Sequence, residues 1–255
     1  MGIFDANKRV QGFPATNPVS TLLIVGVTIY FFITIFSGGF NGQNLLELGA
    51  LYEPLVIEDG QWYRLFTVMF LHGSVTHYIF NTLFGLYVIG GALERLIGPL
   101  KYLIVYFVSG ILASFTIVAS YFLTGEPVLT VGASGAIYGV LGAFLYLVVN
   151  HKEWFNPGDV QGIKALIFIN VIFTFIVPNI SVAGHIGGLI AGYAIATLMF
   201  INQGKDMRNR RKDFEDPFAD PFEQKYRTLD DFDTFEYGDE DEDDHDPFAK
   251  YDRDD

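Results

Sequence analysis

Long uncharged stretches of apolar residues alternate with short polar segments over the first 205 positions of the chain. A helix that crosses about 30 Å of hydrocarbon needs roughly 20 apolar residues, because each adds ~1.5 Å. Such stretches occur at 19–37, within 65–93, at 102–125, from near 132 to 151, and at 165–204. The last holds two helices if Pro178-Asn179 near its middle forms a turn. The pattern predicts an all-α membrane protein with six transmembrane helices, the fifth beginning near Val160.

Basic residues indicate how these helices are oriented, because cytoplasmic loops carry an excess of Lys and Arg. Six spans place both termini on one side, and that side then has eleven basic residues against Arg64 alone on the other. The eleven are Lys8, Arg9, Arg95, Lys101, Lys152, Lys164, Lys205, Arg208, Arg210, Arg211 and Lys212. We expect cytoplasmic termini, with the loops before the second, fourth and sixth helices on the outer face. Because no cleavage site follows, we also expect the first span to be retained.

Composition agrees with a membrane protein and sets the C-terminal part of the chain apart. Hydrophobic residues make up 51 % of the 255 positions. Residues 1–205 carry 8 Lys and Arg against 9 Asp and Glu, whereas residues 206–255 carry 8 against 20, so the tail supplies nearly all of the net charge of −13. We therefore divide the chain into a cytoplasmic N-terminal segment (1–17), a membrane domain (18–204) and a basic-then-acidic disordered cytoplasmic tail (205–255).

Two further segments have recognisable composition. The first outer loop, 38–64, mixes leucines with acidic residues and is predicted to lie at the membrane interface. The tail repeats Asp-Pro-Phe from Asp216, Asp220 and Asp246. These repeats are either a docking motif for an unknown cytoplasmic partner or chance repeats in a solvated tail. The chain has no cysteine, which excludes disulfides, thiolate metal sites and cysteine nucleophiles. We expect no metal, no cofactor and no nucleic-acid partner.

Few polar side chains interrupt the predicted spans, and polar groups in hydrocarbon usually mark function. His77 and Asn81 lie in the second helix, Ser134 opens the fourth and His185 lies in the sixth, all toward the outer ends. Small residues at every fourth position let two helix backbones approach closely. They occur as Gly135 and Gly139, with Gly142 near, and as Gly184, Gly188 and Gly192. Packing these glycines together would bring Ser134 and His185 to adjoining edges of one helix contact.

This grouping predicts hydrolysis by a serine nucleophile. A serine hydroxyl needs a base that takes its proton, and histidine suits that task near neutral pH. His77 and Asn81, spaced i,i+4, project from one helix face and can donate hydrogen bonds to an oxyanion, as can the N–H of Ser134. No acidic residue lies in the spans near this group, which favours a dyad over a triad. The alternative is that these polar residues only join helices by hydrogen bonds, the role expected of His72.

The same residues resemble those of the rhomboid intramembrane serine proteases over roughly residues 17–203. The resemblance lies in Trp62-Tyr63-Arg64-Leu65-Phe66-Thr67, Leu71-His72, His77-x-x-x-Asn81, Gly90-Gly91-Ala92-Leu93-Glu94, Gly132-Ala133-Ser134-Gly135-Ala136-Ile137-Tyr138-Gly139 and Gly184-His185-Ile186-Gly187-Gly188. Tyr63 is a departure, because many members have tryptophan before the arginine. The acidic tail is not a general feature of the family.

The resemblance implies a six-helix rhomboid-like bundle and a role for each matching residue. Ser134 is expected to be the nucleophile, His185 the general base, and His77 and Asn81 the oxyanion donors. The remaining matches are expected to be supporting residues: Tyr138 packs against His185, Gly132 keeps the approach to the serine open, and Arg64 and Glu94 are structural. The implied substrates are transmembrane segments of other membrane proteins, with the fifth helix and residues 178–182 as gate and cap.

Two other functions remain open from the sequence. A catalytically silent relative would bind or escort client transmembrane helices with the same bundle, although such relatives usually lack the serine or the histidine. A transporter would be expected to show internal repeats or charged residues in mid-span, and neither is evident. We expect a multi-pass protein of a bacterial plasma (inner) membrane, with its active site open to the non-cytoplasmic side.

Overall fold

The regular structure of the described residues is helical. A computed structural model describes residues 12–178 and 180–201, and within these the sole β-type pairing is an isolated bridge between Leu51 and Thr130. The α-helices in chain order are α1 (Phe13–Thr16), α2 (Pro18–Ser37), α3 (Gly42–Glu47), α4 (Glu53–Ile57), α5 (Arg64–Thr67), α6 (Val75–Ile79), α7 (Gly91–Ile97), α8 (Pro99–Thr124), α9 (Ser134–Asn150), α10 (Pro157–Ile176) and α11 (Val182–Phe200). A π-helical segment, Phe80–Gly90, joins α6 to α7. Short 3-10 turns occur at Val68–Phe70 and Lys152–Trp154.

Four of these helices, α2, α8, α10 and α11, are long and apolar enough to cross a membrane by length and composition. The apolar helix α9 is shorter, with 17 residues. Each helix overlaps a stretch where the hydrophobic pattern places a span, so the predicted all-helical membrane fold is confirmed at that level. The count of six spans stays a prediction.

The turn predicted at Pro178 is present, and α10 is longer than the pattern indicates. It begins at Pro157 rather than near Val160, with proline at a position where its missing N–H costs no hydrogen bond. It ends at Ile176, and Val177 has extended backbone angles of φ −84° and ψ 124°. The residue before a proline avoids helical angles, so the helix stops there. The resulting 20 residues meet the length that a span requires.

Helix α9 lies in the centre of the helical core and α10 at its edge. Twelve of the 17 residues of α9 are buried, compared with three of the 20 residues of α10. Helices α8 and α11 cover α9, and the exposed sides of α2, α8, α10 and α11 carry large apolar side chains. Apolar residues inside and outside the bundle are what a helix in lipid requires.

Buried polar contacts hold the first loop and the start of α2. One nitrogen of Arg64, Nη1, donates to the carbonyl oxygens of Leu46 (2.9 Å) and Ala50 (2.6 Å). Both carboxylate oxygens of Glu94 accept backbone N–H groups, from Val19 and Ser20, at 2.8 Å each. Glu94 thereby satisfies donors that the first turn of α2 leaves without helical partners, and its charge complements the helix dipole.

Several predictions fall outside the described residues. They concern residues 1–11, Asn179 and 202–255, and include the basic residues of both termini, the disordered tail and its Asp-Pro-Phe repeats. The boundaries of the three predicted segments likewise stay predictions.

Candidate active site

The Ser134 hydroxyl oxygen lies 2.9 Å from His185 Nε2, within hydrogen-bond distance. Ser134 is the first residue of α9, and His185 lies in the first turn of α11. The start of α11 is fixed by Ser181, whose hydroxyl accepts the N–H of Gly184 at 3.2 Å. Both reactive groups thus stand at N-terminal helix ends, where the helix dipole favours negative charge.

Direct contact between backbones brings these two helix ends together. A Cβ atom placed on Gly188 would overlap the carbonyl oxygen of Gly135, and one on Gly192 would overlap that of Gly139. Pairing 135 with 188 and 139 with 192 means that α9 and α11 run parallel. Parallel packing places the first turns of both helices at the same end, which explains why Ser134 and His185 meet.

The predicted glycine contact differs at one position. A Cβ on Gly184 would lie 2.9 Å from Ile117 Cδ1, so its Cβ position points toward α8, while its carbonyl oxygen lies 3.7 Å from the Cβ position of Gly135 on α9. A step of four residues turns an α-helix by about 40° beyond a full circle, so positions four apart drift around the helix. The contact also uses Gly142, whose added Cβ would overlap the carbonyl oxygen of Leu189.

The far side of the His185 ring is held by two residues. Tyr138 stacks on the ring with centroids 3.9 Å apart and an interplanar angle of 19°. The His185 Nδ1 atom lies 3.0 Å from Thr174 Oγ1, on α10. The Tyr138 hydroxyl lies 2.6 Å from Thr174 Oγ1 and donates to the carbonyl oxygen of Asn170 at 2.6 Å. His185 therefore contacts α9 and α10 from its place on α11.

Thr174 and Asn170 are absent from the residues that the sequence predicts for the site. Both lie in a long apolar stretch, where a single hydroxyl or amide is not by itself evidence of a functional residue. Their i,i+4 spacing puts them on one helix face, and that spacing is the signal that identifies them.

His77 faces the dyad across Gly132. A Cβ on Gly132 would lie 2.8 Å from His77 Nε2 and 3.6 Å from Ser134 Oγ, so the space between the imidazole and the hydroxyl exists because residue 132 has no side chain. The φ angle of Gly132, +132°, is also one that other residues rarely adopt. The Ser74 hydroxyl accepts the N–H of His77 at 3.1 Å and caps α6.

Asn81 is buried on the same helix, one turn further on, in the π-helical segment. Its Nδ2 donates to the carbonyl oxygen of His77 at 2.9 Å. An amide has two N–H donors, so one remains for another acceptor. A Cβ on Gly85 would overlap Ile137 Cδ1, so the π-helical segment packs directly on α9. Such wide helical turns are frequent at functional sites.

The hydrogen-bonding role predicted for His72 is wrong. Its side chain is buried, and neither ring nitrogen forms a hydrogen bond to another helix among the described residues. The ring instead contacts His77 edge-on, with centroids 5.0 Å apart, and Tyr78 with centroids 5.8 Å apart. Its position before the first turn of α6 leads to ring packing rather than to a bond between helices.

Arg64 and Glu94 lie away from the reactive pair, since their hydrogen bonds go to the first loop and to α2. A small pocket of about 20 Å³ borders Ser134 and His185, and polar side chains in its lining are Ser114, Thr130 and Ser181. Within residues 12–178 and 180–201, no three His, Asp or Glu side chains come together as metal ligands would. The arrangement offers a hydroxyl, a base and hydrogen-bond donors, the groups that acyl transfer needs.

Comparisons with known proteins agree with this arrangement. The family model described as "Rhomboid domain" matches residues 59–202. Rhomboid protease GluP of Bacillus subtilis is 38 % identical over 189 residues, which cover 73 % of this chain and 36 % of GluP. Putative rhomboid protease YdcA of the same organism is 33 % identical over 77 % of this chain and 96 % of YdcA. Rhomboid protease AarA of Providencia stuartii is 31 % identical over 69 % of this chain and 70 % of AarA.

The chain thus spans about a third of the length of GluP but nearly all of YdcA. The matched region begins in the first loop and contains His77, Asn81, Ser134 and His185. It covers more than half of the chain and every element around the site. This protein is a member of the rhomboid family.

Proposed function

We propose that this protein is an intramembrane serine endopeptidase that cleaves transmembrane segments of other membrane proteins. The observation that carries the proposal is the 2.9 Å contact between the hydroxyl of Ser134 and Nε2 of His185. Membership of a family whose similar relatives are named rhomboid proteases supports it. The catalytic unit in this proposal is a Ser-His dyad.

In the proposed reaction, Ser134 Oγ attacks the carbonyl carbon of the scissile bond while its proton passes to His185 Nε2. The tetrahedral intermediate collapses to an acyl-enzyme when His185 returns that proton to the leaving amine. A water molecule then attacks the ester, again with His185 as the base, and releases the carboxylic acid and the free serine. Every proton taken by the histidine is given back within the cycle.

The negative charge of the tetrahedral intermediate needs donors that are in place before the reaction. His77 stands across Gly132 from the hydroxyl, and the N–H of Ser134 points from the free end of α9. Asn81 keeps one N–H on the carbonyl of His77 and has a second to give. We assign the oxyanion to these three groups.

The other predicted residues support the dyad in this mechanism. Tyr138 holds the plane of the His185 ring by stacking. Gly132 keeps the approach to the hydroxyl free of a side chain. Arg64 and Glu94 are structural, since each fixes backbone groups at a distance from the reaction.

A peptide bond inside a transmembrane helix must be unwound locally before its carbonyl meets a nucleophile, and water must reach it. We propose a bundle of six spans in a bacterial plasma membrane, with cytoplasmic termini and the dyad open to the non-cytoplasmic side. The pocket beside Ser134, of about 20 Å³, has room for about one water molecule. Helix α10 and residues 178–182 are the proposed gate and cap.

A serine-directed fluorophosphonate probe tests the dyad on the purified full chain in detergent. We expect covalent labelling of the wild type, and its loss in Ser134→Ala and in His185→Ala. Cleavage of a transmembrane substrate in liposomes should fall at least about 10³-fold in both variants. Ser120→Ala is the matched control, because that hydroxyl bonds to the carbonyl of Ile117 in its own helix, at 2.7 Å.

Equal labelling of the wild type and the dyad variants would refute the proposed enzyme. Binding of a transmembrane helix without labelling or cleavage would instead identify a catalytically silent relative that binds or escorts its clients.

A further inference from the structure

We propose that Thr174 is a positioning residue for His185, acting through the hydrogen bond between its hydroxyl and Nδ1 of the ring. The inference rests on the proposed function, since it assigns a third member to the dyad's own hydrogen-bonded chain. Thr174 is 1 % exposed and His185 is 7 % exposed, and their polar atoms are 3.0 Å apart. A buried ring nitrogen at that distance from a buried hydroxyl depends on it for a partner.

The protonation state that catalysis requires fits this contact. For Nε2 to accept the proton of Ser134, the ring hydrogen must be on Nδ1, and Nδ1–H then donates to Thr174 Oγ1. After proton transfer both ring nitrogens carry hydrogen, and Thr174 still accepts from Nδ1. A threonine oxygen serves both states because it has lone pairs to offer in each.

The hydrogens around Thr174 can all be placed at once in that state. The Thr174 hydroxyl donates to the carbonyl oxygen of Asn170 at 3.0 Å, a bond within its own helix. The Tyr138 hydroxyl lies 2.6 Å from the same carbonyl oxygen and 2.6 Å from Thr174 Oγ1, so its hydrogen is shared between these two acceptors. Thr174 Oγ1 has a second lone pair, which accepts the Nδ1–H of His185. The local network therefore accommodates the base form in which Nε2 faces the serine.

Thr174 also connects a peripheral helix to the reaction. It is one of only three buried residues of α10, and its hydroxyl contacts Tyr138 on α9 and His185 on α11. The position of α10 is thereby linked to the orientation of the imidazole. Displacing α10 removes the acceptor from Nδ1 while leaving the α9 to α11 contact, and hence the dyad distance, in place.

The experiment compares Thr174→Val, which removes the hydroxyl and keeps the shape, with Thr174→Ser, which keeps the hydroxyl. Thr197→Val is the matched control, because Thr197 makes the same bond to the carbonyl four residues earlier, at 2.9 Å, on α11. Initial rates of cleavage of a transmembrane substrate by the full chain in detergent give kcat and KM. We expect Thr174→Val to lower kcat about 10-fold with KM within about twofold. Thr174→Ser and Thr197→Val should stay within about twofold of wild type in both constants.

An unchanged kcat in Thr174→Val would overturn the inference, as would equal losses in Thr174→Val and Thr197→Val or no rescue by serine. Should the valine variant fail to fold, Thr174→Ser against Thr174→Ala makes the same comparison, and equal kcat values would overturn it. Cleavage at the wild-type rate by Ser134→Ala would refute the proposed function and this inference with it. A loss of kcat confined to Thr174→Val supports both.

Discussion

The contact between α9 and α11 differs in kind from the contact of α10 with the same core. Helices α9 and α11 touch backbone to backbone, since a single methyl group on Gly188 or Gly192 would overlap a carbonyl oxygen of α9. Helix α10 touches the core with side chains, and a Cβ on its Gly158 or Gly162 would meet nothing within 4 Å. Most of the α10 surface carries apolar side chains toward the outside of the bundle.

Because of this difference, the site has a rigid region, the contact between α9 and α11, and an adjustable region, the contact of α10 with the core. Backbone contact leaves little room for sliding, so the distance between Ser134 and His185 is set by the helices themselves. Side-chain hydrogen bonds such as those of Tyr138 and Thr174 break at lower cost when a helix moves. The dyad thus lies on the rigid pair of helices, α9 and α11, while α10, the proposed gate, is held by side-chain hydrogen bonds that can break.

The largest effect is expected from a methyl group inside the rigid contact. In Gly192→Ala the added Cβ overlaps the carbonyl oxygen of Gly139, and backbone cannot move aside as a flexible side chain does. We expect the free energy of unfolding to fall by about 3 kcal/mol or more, the upper end for overpacked cores. Thermal unfolding followed by circular dichroism in detergent measures it. Wild-type stability would show that the two backbones are not in contact.

The sequence predicts the rigid contact because small residues are its only requirement. Glycines repeated every fourth position are visible in the chain, and they locate both partners of the Ser134 to His185 pair. Proline likewise indicates where a helix ends, as at Pro178. The pattern does not fix where a single Cβ position points, and that of Gly184 points toward α8 although its carbonyl lies beside Gly135 of α9.

Contacts to backbone groups could not be predicted in this way. Glu94 accepts hydrogen bonds from the backbone N–H groups of Val19 and Ser20. Every residue except proline has such a group, so the sequence does not indicate which of them Glu94 will bind. The π-helical segment contains no proline and no charged residue, so its sequence does not distinguish it from an ordinary helix. The sequence does not single out Thr174, because a hydroxyl in an apolar stretch usually bonds to its own helix, and this one does so as well as contacting His185.

An intermediate effect is expected where the rigid and adjustable regions meet. Tyr138→Phe keeps the ring that stacks on His185 and removes the hydroxyl that reaches Asn170 and Thr174 on α10. We expect a loss of about 1 kcal/mol in the free energy of unfolding, the usual contribution of a buried neutral hydrogen bond. The same unfolding measurement tests it.

Tyr106→Phe is the control for that substitution. Its buried hydroxyl has no hydrogen-bond partner in the described part of the chain, so removing it should leave stability unchanged or slightly higher. Equal losses in the two phenylalanine variants would mean that the bonds from Tyr138 to α10 add nothing.

The smallest effect is expected from a methyl group on the adjustable helix. In Gly162→Ala the new Cβ meets no atom within 4 Å, and glycine is a poorer helix former than alanine by about 1 kcal/mol. We therefore expect stability to stay the same or rise by up to about 1 kcal/mol, with unchanged cleavage. The substitution is chemically identical to Gly192→Ala, so opposite signs in one unfolding assay isolate the role of the contact surface. A loss in Gly162→Ala as large as in Gly192→Ala would show that α10 is packed as tightly as the dyad helices, and the distinction between rigid and adjustable regions would fail.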